Sequence, residues 1–162
     1  MHTGRGFVKV ASEAYLNYIQ FQNLRFRELK TCFIVLGCKK HVSRLVDSGR
    51  SSMTIEAVTF LRANMNDFAA FSLASAIDTE SNLSSAVFEN VATSIGIDTT
   101  PYQTKYKYID INLVEARNKV AHGEIHGIKP EDCRSLCDHV IDLIRRFKTD
   151  IQNAVALRRY RN

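Results

Sequence analysis

Residues 15–36, YLNYIQFQNLRFRELKTCFIVL, indicate the fold of this 162-residue chain. Mainly apolar residues recur in this stretch at alternating spacings of four and three: Tyr15, Ile19, Gln22, Phe26, Leu29, Phe33 and Leu36. This spacing places the side chains on one face of a helix and is typical of a long helix that packs in a bundle. Gly37 permits a kink or an end, and the helical pattern then continues to Val46.

Two more helices are predicted before residue 96. The first runs from about residue 53 to residue 77 and is expected to bury Ile55, Val58, Leu61, Met65, Phe68 and Phe71. The second covers about residues 83–95. Ser81 or Asn82 can cap its start, and Gly96 can close it in the position after the C-cap, where glycine is favoured.

Residues 97–108 are polar, contain a proline and are rich in threonine and tyrosine, which predicts a loop. Its tyrosines and lysines are Tyr102, Lys105, Tyr106, Lys107 and Tyr108. They could stack on bases and hold phosphates. An ordinary surface loop whose tyrosines anchor it to the bundle is the simpler interpretation. Lys105 and Lys107 stay candidates for substrate binding.

The rest of the chain is also helical in pattern. Asp110 can cap a short helix from Ile111 to about Ala121, which Gly123 would end, and Pro130 suits the first turn of the final helix. The apolar stripe of that helix is Leu136, Val140, Leu143, Phe147, Ile151 and Ala154. Strand patterns are nearly absent, so the sequence predicts an all-α, up-and-down bundle of about five helices.

We expect one domain over residues 1–162, because a chain of this length can bury roughly two-thirds of its unfolded surface. Residues 1–50 would form a long N-terminal helical segment and residues 53–160 the remaining core. No apolar run is long enough to span a bilayer, and residues 1–10 lack the apolar stretch and cleavage site of a secretory signal. We therefore expect a cytoplasmic protein with no membrane partner.

The formal net charge is +5, from 22 basic and 17 acidic residues. Basic residues cluster within residues 25–30, 39–44, 145–148 and 158–161. Such an excess favours a polyanionic partner such as RNA, although solvated helix faces explain any single cluster equally well.

The cysteines are Cys32, Cys38, Cys133 and Cys137. They lie mostly inside apolar patterns, which predicts free thiols in or near the core. A zinc site at Cys133, Cys137 and His139 is disfavoured, because no Cys-x-x-Cys or His-x-x-x-His pair accompanies them. We therefore expect no metal and no other cofactor.

Residues 117–124, Arg-Asn-Lys-Val-Ala-His-Gly-Glu, are the strongest candidate for chemistry. The guanidinium of Arg117 can clamp a phosphate through two parallel hydrogen bonds, and His122 can exchange a proton near neutral pH. Together they are the minimum needed to cleave a phosphodiester without a metal. The structural alternative is that Arg117 pairs with a nearby carboxylate and His122 caps its helix.

The same residues resemble the signature of the HEPN superfamily, in which an arginine and a polar residue precede a histidine by this spacing. The stretch from Phe60 to Asn153 is similar to one small prokaryotic HEPN branch. The similarity is carried by residues 61–64 (Leu-Arg-Ala-Asn), residues 81–85 (Ser-Asn-Leu-Ser-Ser) and residues 115–124. The first fifty residues contribute little to it beyond being helical.

This resemblance implies a HEPN-like core and a metal-independent endoribonuclease, with toxin–antitoxin, antiphage or RNA-processing roles. It implies catalytic roles for Arg117, Asn118 and His122, and homodimers in which two copies of the motif face each other. Lys119, Glu124 and His126 are further candidates for contact with the RNA. A noncatalytic RNA-binding or assembly module is the alternative function, since a complete motif does not guarantee activity.

The spacing of Arg117 and His122 agrees with a site that two chains build together. On a continuous helix these positions differ by about 140° of rotation, since each residue turns about 100°. The two side chains would not share a face, so either the helix end at Gly123 swings His122 round or a partner chain supplies the missing group. A symmetric dimer solves this problem by pairing Arg117 of each chain with His122 of either.

One position departs from the family pattern. Members paired with nucleotidyltransferase antitoxins often carry a tyrosine two residues after the histidine, and here that position is Glu124. Any antitoxin or other defence-system partner is therefore expected to act by another means, such as direct occlusion.

Overall fold

The computed structural model of the chain describes residues 3–39, 51–72, 77, 84–108, 110–111 and 130–162. The α-helices within these ranges are α1 (Thr3–Phe21), α2 (Thr31–Gly37), α3 (Ser51–Asn64), α4 (Ser85–Ser94), α5 (Gln103–Tyr108) and α6 (Pro130–Ala156). Two short 3-10 turns, Phe26–Glu28 and Thr100–Tyr102, join them. Apart from two isolated bridges, these ranges contain no β-structure. The predicted all-α fold class is confirmed.

The core lies where α1 and α6 pack along each other and α2 and α4 close the remaining side. From α1, Leu16 and Ile19 are fully buried, and Phe33 of α2 is buried between the rings of Tyr15 and Phe71. The predicted stripe of the final helix is confirmed at Phe147, Ile151 and Ala154, which are buried, and at Leu143, which packs at the edge.

The predicted single helix over residues 15–36 is wrong, because α1 ends at Phe21 and α2 begins only at Thr31. Asn23 adopts a left-handed backbone conformation with a φ of 52°, and Arg25 is extended. Phe26 and Leu29 are nevertheless buried, as the stripe predicted, whereas Gln22 is exposed and Leu24, which the stripe does not include, is buried. Phe26 and Leu29 reach the core through an irregular backbone, so their spacing alone does not distinguish the two arrangements.

We call residues 24–30 the junction segment. Its backbone is held on one side by residues 65–69: the Phe26 amide donates to the Asp67 carbonyl at 3.1 Å, and the Ala69 amide donates to the Leu24 carbonyl at 2.8 Å. The C-terminal residues hold its other side, where the Lys30 amide donates to the carbonyl of Tyr160 at 3.0 Å. These bonds replace the intrahelical ones that a continuous helix would make.

Helix α3 is shorter and less buried than the predicted helix over residues 53–77. It ends at Asn64, because the next residues pair with the junction segment. The predicted buried side is wrong at Ile55 and Val58, which are 67% and 48% exposed, and at Phe68, while Phe71 is buried as expected. The residue that α3 buries is Ala57.

Helix α4 is capped differently from the prediction. Its N-cap is Ser84, whose hydroxyl oxygen accepts from the Val87 amide at 3.3 Å, and not Ser81 or Asn82. Its predicted end is confirmed, since Gly96 follows the C-cap with a φ of 70°. This left-handed conformation favours glycine because the residue lacks a Cβ.

The cysteines are only partly where the sequence predicted. Cys32 and Cys38 lie in or near the core as free thiols, and burial raises the pKa of each. Cys137 is exposed on α6, which corrects the expectation of a core position. The side chain of Cys133 lies outside the described part of the molecule.

Two glycines offer a matched test of the packing at the junction segment. A methyl group at Gly37 would overlap the ring of Phe26, whereas one at Gly6 in α1 would meet no atom within 4 Å. We expect Gly37→Ala to lower the free energy of unfolding by about 1–3 kcal/mol through overpacking. Gly6→Ala should raise it by up to about 1 kcal/mol. Urea unfolding measures both, and equal effects of the two changes would contradict this packing.

Candidate functional site

The predicted catalytic residues lie in a part of the chain that the structure does not describe. Arg117, Asn118, Lys119, His122, Glu124 and His126 all fall within residues 112–129. The predicted helix over residues 111–121 lies there too. The structure does describe the elements on both sides, α5 with residues 110–111 before this segment and α6 after it. These elements flank the motif segment, residues 112–129, in the chain.

Asp110 fixes the chain seven residues before Arg117. One oxygen of its carboxylate accepts from the Ser85 amide at 2.8 Å, and the other accepts from the Ser85 hydroxyl at 2.5 Å. Asp110 was predicted to cap the helix that follows it, but the described bonds serve the first turn of α4. A carboxylate is favourable there, because the unpaired amides of a helix N-terminus carry partial positive charge.

This contact also gives a structural role to the serines near residue 84. Ser84 caps α4, and Ser85 holds Asp110. Both serines belong to the run that carried the family resemblance. The sequence had suggested a cap in this run, but it contained no signal that a carboxylate 25 residues later would share the same helix end.

Tyr102 anchors the chain entering α5 to α6. It is fully buried, its ring packs 4.9 Å from that of Phe88, and its hydroxyl donates to Asp150 at 2.5 Å. Burial, followed by the bond to Asp150, raises the pKa of Tyr102 far above its ordinary value. The guanidinium of Arg146 lies 5.6 Å from the ring centre. This tyrosine is therefore not available to stack on a base.

The predicted loop over residues 97–108 is wrong, since Thr100–Tyr102 form a 3-10 turn and α5 follows directly. Tyr106 packs against the core, and its pKa is raised by burial and then by the nearby carboxylate of Glu89. The interpretation of the tyrosines as anchors is thus confirmed at Tyr102 and Tyr106. The structure folds this stretch because burying Tyr102 among aromatic rings outweighs its polar composition.

Lys105 and Lys107 lie on α5, on either side of the anchor Tyr106. Lys107 is exposed and Lys105 is partly exposed. Neither lysine is brought to a described functional group, so their role in substrate binding stays a prediction. Both lysines lie on the helix that directly precedes residue 110 and the motif segment.

Within the described residues, no group of three or more histidine, cysteine, aspartate or glutamate side chains could hold a metal ion. On α6, His139 donates from Nδ1 to the carbonyl of Ser135, 2.8 Å away.

No described helix is both long and apolar enough to cross a membrane.

Comparison with known proteins places the chain in a family. The described fold and the match to a family model together define it as a HEPN protein. The model that matches is RiboL-PSP-HEPN, over residues 6–153, and the chain belongs to this family. The match includes α1 and the junction segment, which carried none of the resemblance seen in the sequence. Comparisons with curated proteins and with solved structures found no significant match.

The contact between Asp110 and Ser85 can be tested by its effect on stability. We expect Asp110→Ala to lower the free energy of unfolding by about 1–2 kcal/mol, because the amide and hydroxyl of Ser85 lose their acceptors. Ser85→Ala should cost less, since it keeps the amide bond. Asp142→Ala, at an exposed aspartate of α6, is the matched control. Additive losses in the double variant Asp110→Ala/Ser85→Ala would contradict a direct contact.

Proposed function

We propose that this protein is a metal-independent endoribonuclease. The observation that carries the proposal is that the matched family segment, residues 6–153, contains the complete set Arg117, Asn118 and His122. HEPN proteins are commonly ribonucleases or RNA-binding modules, and this set supplies the groups that RNA cleavage needs. The net charge of +5 supports an RNA substrate.

The proposed reaction is an internal transfer at phosphorus. The ribose 2′-oxygen attacks the phosphorus as His122 of one chain removes the hydroxyl proton, and the bond from phosphorus to the 5′-oxygen breaks. The protonated His122, or the second His122 of a dimer, donates a proton to the leaving 5′-oxygen. Arg117 stabilises the charge on the nonbridging oxygens, and Asn118 orients the phosphate or the imidazole. The products are a 2′,3′-cyclic phosphate and a 5′-hydroxyl, so DNA is not cleaved.

We further propose that the active form is a homodimer with composite sites. The rotation of about 140° between Arg117 and His122 on a continuous helix supports it, because it separates the two side chains within one chain. The bonds between Asp110 and Ser85 hold the chain at residue 110 to the first turn of α4, which gives the chain a fixed position seven residues before Arg117.

The biological role that we propose is a cytoplasmic toxin or antiphage effector. Glu124 stands where related toxins often carry the tyrosine that a nucleotidyltransferase modifies. An antitoxin or other defence-system protein would then restrain this ribonuclease by covering the cleft.

Cleavage of RNA in EDTA tests the reaction. We expect the wild type to cut a generic single-stranded RNA without added metal, and we expect no cutting of the same sequence as DNA. His122→Ala should lose about 10²–10⁴-fold in rate, and Arg117→Ala about 10²–10³-fold. Asp142→Ala serves as the control. RNA that is bound equally by wild type and His122→Ala, and cut by neither, would instead identify a noncatalytic module.

A mixing experiment separates a composite site from two independent ones. Arg117→Ala and His122→Ala chains, coexpressed with different tags, form mixed dimers in which one site regains an intact Arg117 and an intact His122. Roughly half of the dimers would be mixed, so activity should return to at most about a quarter of the wild-type value. Failure of purified mixed dimers to cut would show either that each chain holds a whole site or that cleavage needs both copies of His122.

Growth on expression tests the proposed biological role. We expect induction of the wild type to arrest a bacterial culture and His122→Ala to relieve the arrest, because removal of the general acid or base stops RNA cleavage. Immunoblots must show equal amounts of both proteins. Arrest that persists in His122→Ala would exclude ribonuclease toxicity as its cause.

A further inference from the structure

Two basic clusters that are far apart in the sequence meet at one end of the bundle. The first lies in the junction segment, and the second follows α6. The backbones at residues 28–30 and 160–162 run antiparallel, with the Asn162 amide donating to the Glu28 carbonyl at 3.2 Å. The side-chain amide of Asn162 also donates to the Arg27 carbonyl at 3.4 Å. We call this the basic junction surface; its cations are Arg25, Arg27, Lys30, Arg158, Arg159 and Arg161.

The positive charge of this surface is largely uncompensated. Among the described residues, the nearby acids are Glu28, which accepts from the Arg25 amide at 2.8 Å, and Asp67, so six cations face two carboxylates. Arg27, Arg158 and Arg159 are exposed, and none of the acids in the described ranges pairs with them. Like charges that remain gathered and unpaired create a field that attracts a polyanion.

The cations surround a rigid backbone. Arg25 donates to the Asn66 carbonyl at 2.7 Å and lies over the ring of Phe68 at 5.4 Å. Burial raises the pKa of Tyr160, and the positive charges of Arg161 and Arg158 oppose that rise. The backbone that carries the cations is held by hydrogen bonds before any ligand arrives, which reduces the entropy lost on binding.

Exposed aromatic rings lie beneath Arg25 and at the end of α1, four residues before it in the chain. Phe21, at the end of α1, is 81% exposed, and Phe68 beneath Arg25 is 63% exposed. Tyr18 lies one turn before Phe21 and contacts the edge of Tyr160, with ring centres 6.0 Å apart. Exposed rings beside guanidinium groups are the combination that holds single-stranded nucleic acid, through base stacking and phosphate contacts.

We propose that the basic junction surface binds single-stranded RNA through residues other than those of the Arg117–His122 motif. The choice of RNA rests on the proposed function, while the surface itself rests on the described contacts. Five of the six cations are arginines, whose planar groups pair with phosphates bidentately and stack on bases. A second contact of this kind would hold a long RNA on the enzyme and would discriminate it from short fragments.

The test measures binding of a labelled 20-nucleotide single-stranded RNA in the His122→Ala background, which prevents cutting. We expect Arg27→Gln/Arg159→Gln to weaken binding about tenfold and to lower the slope of log affinity against log salt by roughly 1.4, from two lost phosphate contacts. The control pair Arg145→Gln/Lys148→Gln removes the same charge from α6, at least about 12 Å before its end. It should change affinity less than about twofold.

A second variant tests stacking without altering charge. Phe21→Leu keeps an apolar side chain but removes the ring, so RNA affinity should fall about fivefold or more. Binding to vesicles that contain anionic lipid should change little, since leucine is nearly as apolar. Equal loss of RNA binding in both double variants would show that binding depends only on the net charge of the protein, and would overturn the proposal. Binding to anionic vesicles but not to RNA would overturn it as well.

The outcomes separate this inference from the proposed function. RNA binding that depends on the junction surface, in a wild type that cuts no RNA, would support the inference and contradict the proposed ribonuclease activity. The opposite outcome is cleavage in EDTA together with an RNA affinity that neither Arg27→Gln/Arg159→Gln nor Phe21→Leu changes. It would support the proposed ribonuclease activity and contradict the inference. Circular dichroism of every variant confirms that the helices are intact.

Discussion

The backbone hydrogen bonds of the junction segment are the constraint on which the rest of the described structure depends. Its amides and carbonyls are shared between residues 65–69 on one side and residues 160–162 on the other. A buried backbone group without a partner costs as much as a lost hydrogen bond, so these three stretches fix one another. They set where α1 ends, where α3 stops and how α6 continues into the C-terminal residues, and they bring distant arginines to one surface.

The helical fold could be predicted from the sequence because its apolar spacings are long and regular. The stripe of α6 and the glycine at residue 96 are where they were expected. The break after Phe21 could not be predicted, because Phe26 and Leu29 enter the core from an irregular backbone as readily as from a helix. The error at α3 has the same origin: its partners come from other parts of the chain, and periodicity carries no information about them.

The functional site was predictable to a different extent. The family could be recognised from the motif and from the serine run near residue 84, and the chain belongs to it. Tyr102 and Tyr106 were weighed as RNA contacts and as anchors, and the aromatic packing and the bond to Asp150 make them anchors. The bond between Asp110 and Ser85 had no signal in the sequence, since local reasoning assigns a helix cap to the nearest helix start. The basic clusters could be identified in the sequence, but their proximity in the fold could not be predicted from it.

The pairing of the junction segment with residues 160–162 has a consequence for synthesis on the ribosome. Asn162 and Arg27 are separated by 135 positions. Contacts between such distant residues close late in folding, because the entropy of the intervening chain must first be lost. During translation α1 and α2 can form early, but the junction segment completes its pairing only when residues 160–162 have emerged. The described core can therefore close only after the residues of α6 and residues 160–162 have been synthesised.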